Sequence, residues 1–292
     1  MAGESIKKKL KTAVKLALTG LALYLVFRKI DTAELVQVAR TVQWLWLIPA
    51  MILFVGSKIA TAFRLNLYFK NIGLLISERQ NWQLYLMGMF FNLFLPGGIG
   101  GDGYKVYLLN KHYKTPIKSL IQASLLDRLG GLVAIVFLLL LLILPVNLTL
   151  PIASQILGEP WVGMAALLVF PAFWLTQKFL FKAFIPSFWP ANFWSMAGQL
   201  AQLVCAWFIL KSLGVTESYL SYQLVFLLSS IVAVLPLTIG GVGARELVFI
   251  YAHSYAGIDE TIAVAFSLIF FLITAAVSLV GSFVKIDLHD NA

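Results

Sequence analysis

LPGGIGGDGYK at residues 95–105 and LPLTIGGVGAR at residues 235–245 decide the fold. They lie 140 positions apart, and Leu, Pro, Ile and three Gly match in register, with a cation closing each. Pro96 and Pro236 each end an apolar arm, because proline has no N–H to continue a helix. Gly100, Gly101 and Gly103, and their counterparts Gly240, Gly241 and Gly243, are expected to form the turns, where positive φ and close backbone approach are tolerated.

The surroundings explain why a turn would be needed. The 292 residues are 60% hydrophobic, with a mean hydropathy of +0.89, and several runs approach the ~18 apolar residues of a spanning helix. A β-barrel would alternate apolar and polar residues along short strands, whereas these runs are unbroken. The reading is an all-α polytopic membrane protein, a single membrane domain over 1–292. Lys and Arg exceed Asp and Glu, giving +9. In such a chain the excess orients the cytoplasmic loops and meets anionic lipid head groups; it does not imply nucleic acid. Cys205 is the single cysteine and His112, His253 and His289 are scattered, so neither a disulfide, a metal nor another cofactor is expected.

Full spans are expected at about 12–28, 44–64, 119–145, 161–177, 193–211 and 261–284. Lys7, Lys8, Lys9 and Lys11 precede the first span in the manner of a signal peptide, but no small-residue cleavage site follows, so it is expected to be retained. Segments 82–95 and 219–235 run into the two Gly-rich stretches. The first would reach about 21 Å as a helix, short of the ~30 Å hydrocarbon core. Arg64, Lys70 and Arg79 lie before it and Lys105, Lys111, Lys114 and Lys118 after it, so both ends read as cytoplasmic. Region 82–114 is therefore expected to be a re-entrant hairpin, with irregular backbone buried in protein or lining a wet cavity. The 140-residue offset brings the other spans into correspondence as well. This gives a first repeat at 12–145 and a second at 152–285, each of three spans and one hairpin. An odd number of spans per half makes the repeats inverted, a plan used by transporters with a substrate site at the repeat interface.

Helices restarting after Gly103 and Gly243 would aim free N–H groups at the turn and attract anions such as phosphate. Lys105 and Arg245 sit just inside them; Asp102 or Asp127 could balance the first and Glu246 the second. Asp127 and Arg128 lie about 13 Å along the span that begins near Ser119. Charges at that depth default to functional candidates, and neighbours about 100° apart on a helix need separate partners. Lys58 reads as snorkelling to the cytoplasmic surface. The formal G-x-G-x-x-G at 98–103 lacks the strand–helix setting of a dinucleotide site.

Asn92-x-x-x-Pro96 followed by Gly-Gly-Ile-Gly-Gly-Asp, then Asp127-Arg128-x-Gly130, then Pro236-x-x-Ile-Gly-Gly-Val-Gly-x-Arg245-Glu246, resembles the lysylphosphatidylglycerol synthase transmembrane (flippase-like) family. The resemblance covers nearly the whole chain. It implies a lipid-handling membrane module. In the two-part members of that family, a cytosolic domain transfers lysine from lysyl-tRNA to phosphatidylglycerol and the membrane module moves the product outward. These 292 residues leave no room for such a transferase, so aminoacylation is not expected.

The expectation is a lipid translocase in a bacterial or archaeal cytoplasmic membrane, both termini cytoplasmic. A head-group site between the hairpins would use Lys105, Arg128 and Arg245 for an anionic or phosphate-containing head group, balanced by Asp102, Asp127 and Glu246. The alternative is a non-transporting subunit that presents lipid to a separate transferase. No catalytic constellation marks it as an enzyme.

Overall fold

The structure is a computed structural model that describes residues 37–38, 40–94, 100–146, 160–234 and 243–286. The expected first span at 12–28, and Pro96, Pro236, Gly240 and Gly241 of the turns, lie outside the described residues. Among the described residues the chain is all-helical. Its α-helices are α1 (Leu47–Asn71), α2 (Glu78–Phe94), α3 (Gly100–Tyr113), α4 (Ile117–Ile143), α5 (Pro160–Leu180), α6 (Phe188–Ser212), α7 (Tyr219–Val234), α8 (Ala244–Ala256) and α9 (Glu260–Val280). Short 3₁₀ turns at Trp44–Trp46 and Lys182–Ser187 lead into α1 and α6.

Five of these segments are long and apolar enough to cross a membrane: Trp44–Asn71, Ile117–Ile143, Pro160–Leu180, Lys182–Ser212 and Glu260–Val280. They match the five expected spans that fall on described residues, with ends shifted by several residues. One shift has a consequence for the charges. The second expected span stops at Arg64, but α1 continues to Asn71, so Arg64 is an interior residue of the helix and only 4% exposed. It therefore leaves the set of loop charges, in which Lys70 and Arg79 remain. Large apolar side chains such as Ile48, Ile52, Leu167 and Leu272 point outward, as expected where the surrounding solvent is lipid.

Sequence chemistry sets the helix ends. Ser77 and Gln80 form a reciprocal capping box at the start of α2: Ser77 N donates to Gln80 Oε1 at 3.0 Å, and Gln80 N donates to Ser77 Oγ at 3.2 Å. Asp259 caps α9 by accepting from Ile262 N at 2.7 Å. The ends of α1 and α6 share one hydrogen-bond pattern. Gly73 N donates to Lys70 O and Leu74 N to Phe69 O; Gly214 N donates to Lys211 O and Val215 N to Leu210 O. Gly73 and Gly214 hold φ of +76° and +75°, the left-handed stop of a Schellman motif.

α1 and α6 form the most extensive helix pair, and the remaining helices pack around them. Gly198 of α6 lies close to the backbone of α1, where a Cβ would stand 3.3 Å from Ser57 O. α2 packs on α3 and on α9, while α7 packs on α8 and on α4. The two larger apolar clusters among the described residues reflect this arrangement. One joins Phe54, Phe226, Phe249, Phe266 and Phe270 from α1, α7, α8 and α9. The other joins Tyr68, Phe69, Leu109, Leu120 and Phe184 around the far end of α1. Between them, α1, α2, α3, α4 and α6 frame a polar cavity.

Candidate functional site

The cavity measures about 190 Å³ and is lined from α1, α2, α3, α4 and α6, with Val234 at the end of α7 closing one side. Its chemistry begins with a close helix crossing. A Cβ on Gly101 would lie 1.9 Å from Gly88 O, so α3 rests backbone-to-backbone on α2 only because residue 101 has no side chain. Gly101 N also donates to Asn92 Oδ1 at 2.8 Å, which satisfies one of the free donors at the start of α3. Gly100, Gly101 and Gly103, expected in the turn, thus belong to the first turn of α3. The helix restarts at Gly100 rather than after Gly103, because Asn92 and the acidic Asp102 stabilise its N-terminus there.

That earlier restart aligns three charges. Asp102 takes Lys105 Nζ on Oδ1 at 2.8 Å and Arg128 Nη2 on Oδ2 at 2.6 Å. Lys105 is 4% exposed, its stem passing beside Gly88 and its ammonium 5.3 Å from the Tyr85 ring centroid. Asp102, rather than Asp127, is therefore the partner of Lys105. Asp127 faces the other way and accepts from Arg64 Nε at 2.7 Å. Arg64 Nη1 donates to Ser195 Oγ at 3.0 Å on α6. As expected, the adjacent Asp127 and Arg128 have separate partners. Gly130 and Gly131 make room for this pair: a Cβ at Gly130 would be 3.3 Å from Ser195 Oγ, and one at Gly131 3.5 Å from Arg64 Nη1.

The second Gly-rich stretch is arranged differently. Gly243, with φ of +82°, precedes α8, and its N–H donates to Glu246 Oε2 at 2.7 Å. Glu246 Oε1 accepts from Ser267 Oγ at 2.8 Å, so its buried carboxylate serves the helix start and α9. It does not supply the salt bridge expected for Arg245. The Arg245 guanidinium lies over aromatic faces, 4.7 Å from the Phe270 centroid and 5.6 Å from Phe226.

The structure thus gathers Asp102, Lys105, Asp127 and Arg128 at one cavity, whereas Arg245 and Glu246, on α8, are not among its lining residues. Sequence reading missed Lys58 and Arg64, which also line the cavity. Lys58 does not follow the snorkelling expectation, since its side chain reaches this interior space. The signal was present: two cations six residues apart on an apolar helix call for internal partners when that helix extends beyond them. Among the described residues no three His, Cys, Asp or Glu side chains are placed to hold a metal ion.

With this geometry, comparison with known families is decisive for kinship. A family model described as the lysylphosphatidylglycerol synthase TM region matches residues 12–281. The chain belongs to that family. No curated protein matches it. Membership of the lysylphosphatidylglycerol synthase TM family, with its apolar helices, makes this a multi-pass membrane protein consistent with a lipid-related module.

Proposed function

We propose that the protein is a lipid translocase whose cavity receives a phosphate-containing head group. The observation that carries this reading is the cavity's charge. Among the described residues, Lys58, Arg64, Lys105 and Arg128 line it against Asp102 and Asp127, an excess of two cations. Such an excess is costly unless an anion enters.

Two inverted repeats, 12–145 and 152–285, fit the reading. In support, α2 packs on α9 as α7 packs on α4, an exchange expected of halves related by a two-fold axis. The close α2–α3 and α7–α8 pairs are the arms expected of two re-entrant hairpins, whose rocking would open the cavity to either leaflet. The protein then acts in a bacterial or archaeal cytoplasmic membrane with both termini cytoplasmic, and moves its lipid without transforming it.

The test is reconstitution of the purified chain into liposomes carrying fluorescent phospholipids of different head groups. Leaflet exchange above that of empty liposomes, reduced in Arg128→Gln, is the expected result. No exchange for any head group by folded protein would overturn the translocase reading in favour of a subunit presenting lipid to a separate transferase.

A further inference from the structure

Lys58 and Arg245 differ from the other cations around the cavity. Lys105 and Arg128 share Asp102, and Arg64 holds Asp127. Among the described residues no carboxylate lies within salt-bridge distance of Lys58 or Arg245. Lys58 Nζ lies 4.6 Å from the Phe54 ring centroid. Arg245 lies over Phe270 and Phe226, and among the described residues its buried Nη1 has no hydrogen-bond partner. Phe54 and Phe270 are themselves in edge contact, with centroids 5.6 Å apart. The two cations therefore attach to the two members of one aromatic pair.

Two like charges in such a setting need a shared anion. The ring faces offset part of the desolvation, but they give the buried guanidinium N–H no acceptor. The adjacent carboxylate cannot serve, since Glu246 is committed to Gly243 N and Ser267. We propose that Lys58 and Arg245 together hold a phosphate group, at a subsite separate from the Asp102–Lys105–Arg128 cluster. A tetrahedral anion presents oxygens on opposite sides, so one phosphate can accept from both residues.

This subsite deepens the lipid reading and rests on it only for the source of the phosphate. The same two helices point to a lipid source. α1 and α9, which carry Phe54 and Phe270, also frame an apolar groove of about 680 Å³ lined by Leu47, Ile48, Met51, Leu268 and Leu272. An acyl chain fits that lining, and a soluble anion gains nothing from it. The Asp102 cluster, two cations sharing one carboxylate, is left to meet the remainder of the head group.

The experiment is thermal unfolding of the full chain in detergent, titrated with dioleoylphosphatidylglycerol, dioleoylglycerol or inorganic phosphate. Phosphatidylglycerol is expected to raise Tm and dioleoylglycerol is not. Lys58→Gln and Arg245→Gln should each weaken the phosphatidylglycerol effect on the order of tenfold. Lys58→Arg should restore it, and the double variant should lose little more than either single change, because both residues hold one group. Protection by inorganic phosphate alone, lost in the same variants, upholds the phosphate site and assigns its source to a soluble anion. Unchanged phosphatidylglycerol binding in Lys58→Gln, or equal protection by dioleoylglycerol, overturns the proposal. If Arg245→Gln fails to fold, the Lys58→Gln and Lys58→Arg pair still decides. Binding is read without transport, so a protein that binds but moves no lipid sinks the translocase reading and leaves this one standing.

Discussion

Lys105 and Arg245 occupy matching positions in two stretches that share Leu, Pro, Ile and three Gly, yet their surroundings differ. Lys105 meets Asp102 across one turn of α3. The position that matches Asp102 is Val242, and Arg245 lies on phenylalanine rings with a donor that has no partner among the described residues. The same inversion occurs one helix later. Asp127 matches Ser267 at the 140-residue offset. Asp127 holds Arg64, while Ser267 donates to Glu246, whose own counterpart is Val106. The duplicated stretches share glycines but not the charges. Lys105 and Arg128 share a carboxylate, whereas among the described residues Lys58 and Arg245 have none within salt-bridge distance, and such unlike surroundings orient an amphipathic ligand.

Substitutions at paired positions can break this comparison. The largest effect is expected at Gly101. Gly101→Val drives a side chain into the Gly88 carbonyl and should cost ~4 kcal/mol or more, read as loss of monodisperse protein on size exclusion. Next comes the contrast between Asp127 and Ser267. Asp127→Asn leaves Arg64 buried without its counter-charge and should cost ~3–5 kcal/mol, whereas Ser267→Ala removes one hydrogen bond to a carboxylate and should cost ~2 kcal/mol. Denaturant unfolding measures both, and equal costs would erase the asymmetry.

Matched glycines give a smaller and sharper test. Gly243 holds positive φ, so Gly243→Ala should cost ~1–2 kcal/mol. Gly103 is helical with open space around the position of a Cβ, so Gly103→Ala should be neutral or stabilising by ~0.5–1 kcal/mol. The smallest effect is expected at Asp102. Asp102→Asn frees charge on Lys105 and Arg128 and should raise phosphatidylglycerol affinity about fivefold, ~1 kcal/mol. A lipid titration reads it, and weaker binding would mean that the carboxylate itself meets the head group.

Much of the fold was legible because apolar run length and the prolines are local signals. The five described spans and the arms entering the Gly-rich stretches follow from them. The family was legible from spaced motifs. The charge partners were not, because they join residues far apart in sequence: Arg64 with Asp127, and Asp102 with Arg128. Arg64 looked like a loop charge because Arg64, Asn66, Lys70 and Asn71 together resemble a helix end. Burial of Arg64 and Asn66, with Arg64 held by Asp127 of α4 and Ser195 of α6, overrides the polar signal. The Glu246 pairing failed for a nearer reason: the left-handed Gly243 claims the carboxylate as its cap before Arg245 can.

The most direct measurement is an experimental structure of the chain in lipid nanodiscs made with phosphatidylglycerol. The account predicts head-group density in the cavity, with phosphate oxygens within hydrogen-bond distance of Lys58 and Arg245 and the remainder toward Asp102, Lys105 and Arg128. Ordered lipid confined to the outer faces of the helices, with the cavity holding water alone, would contradict it.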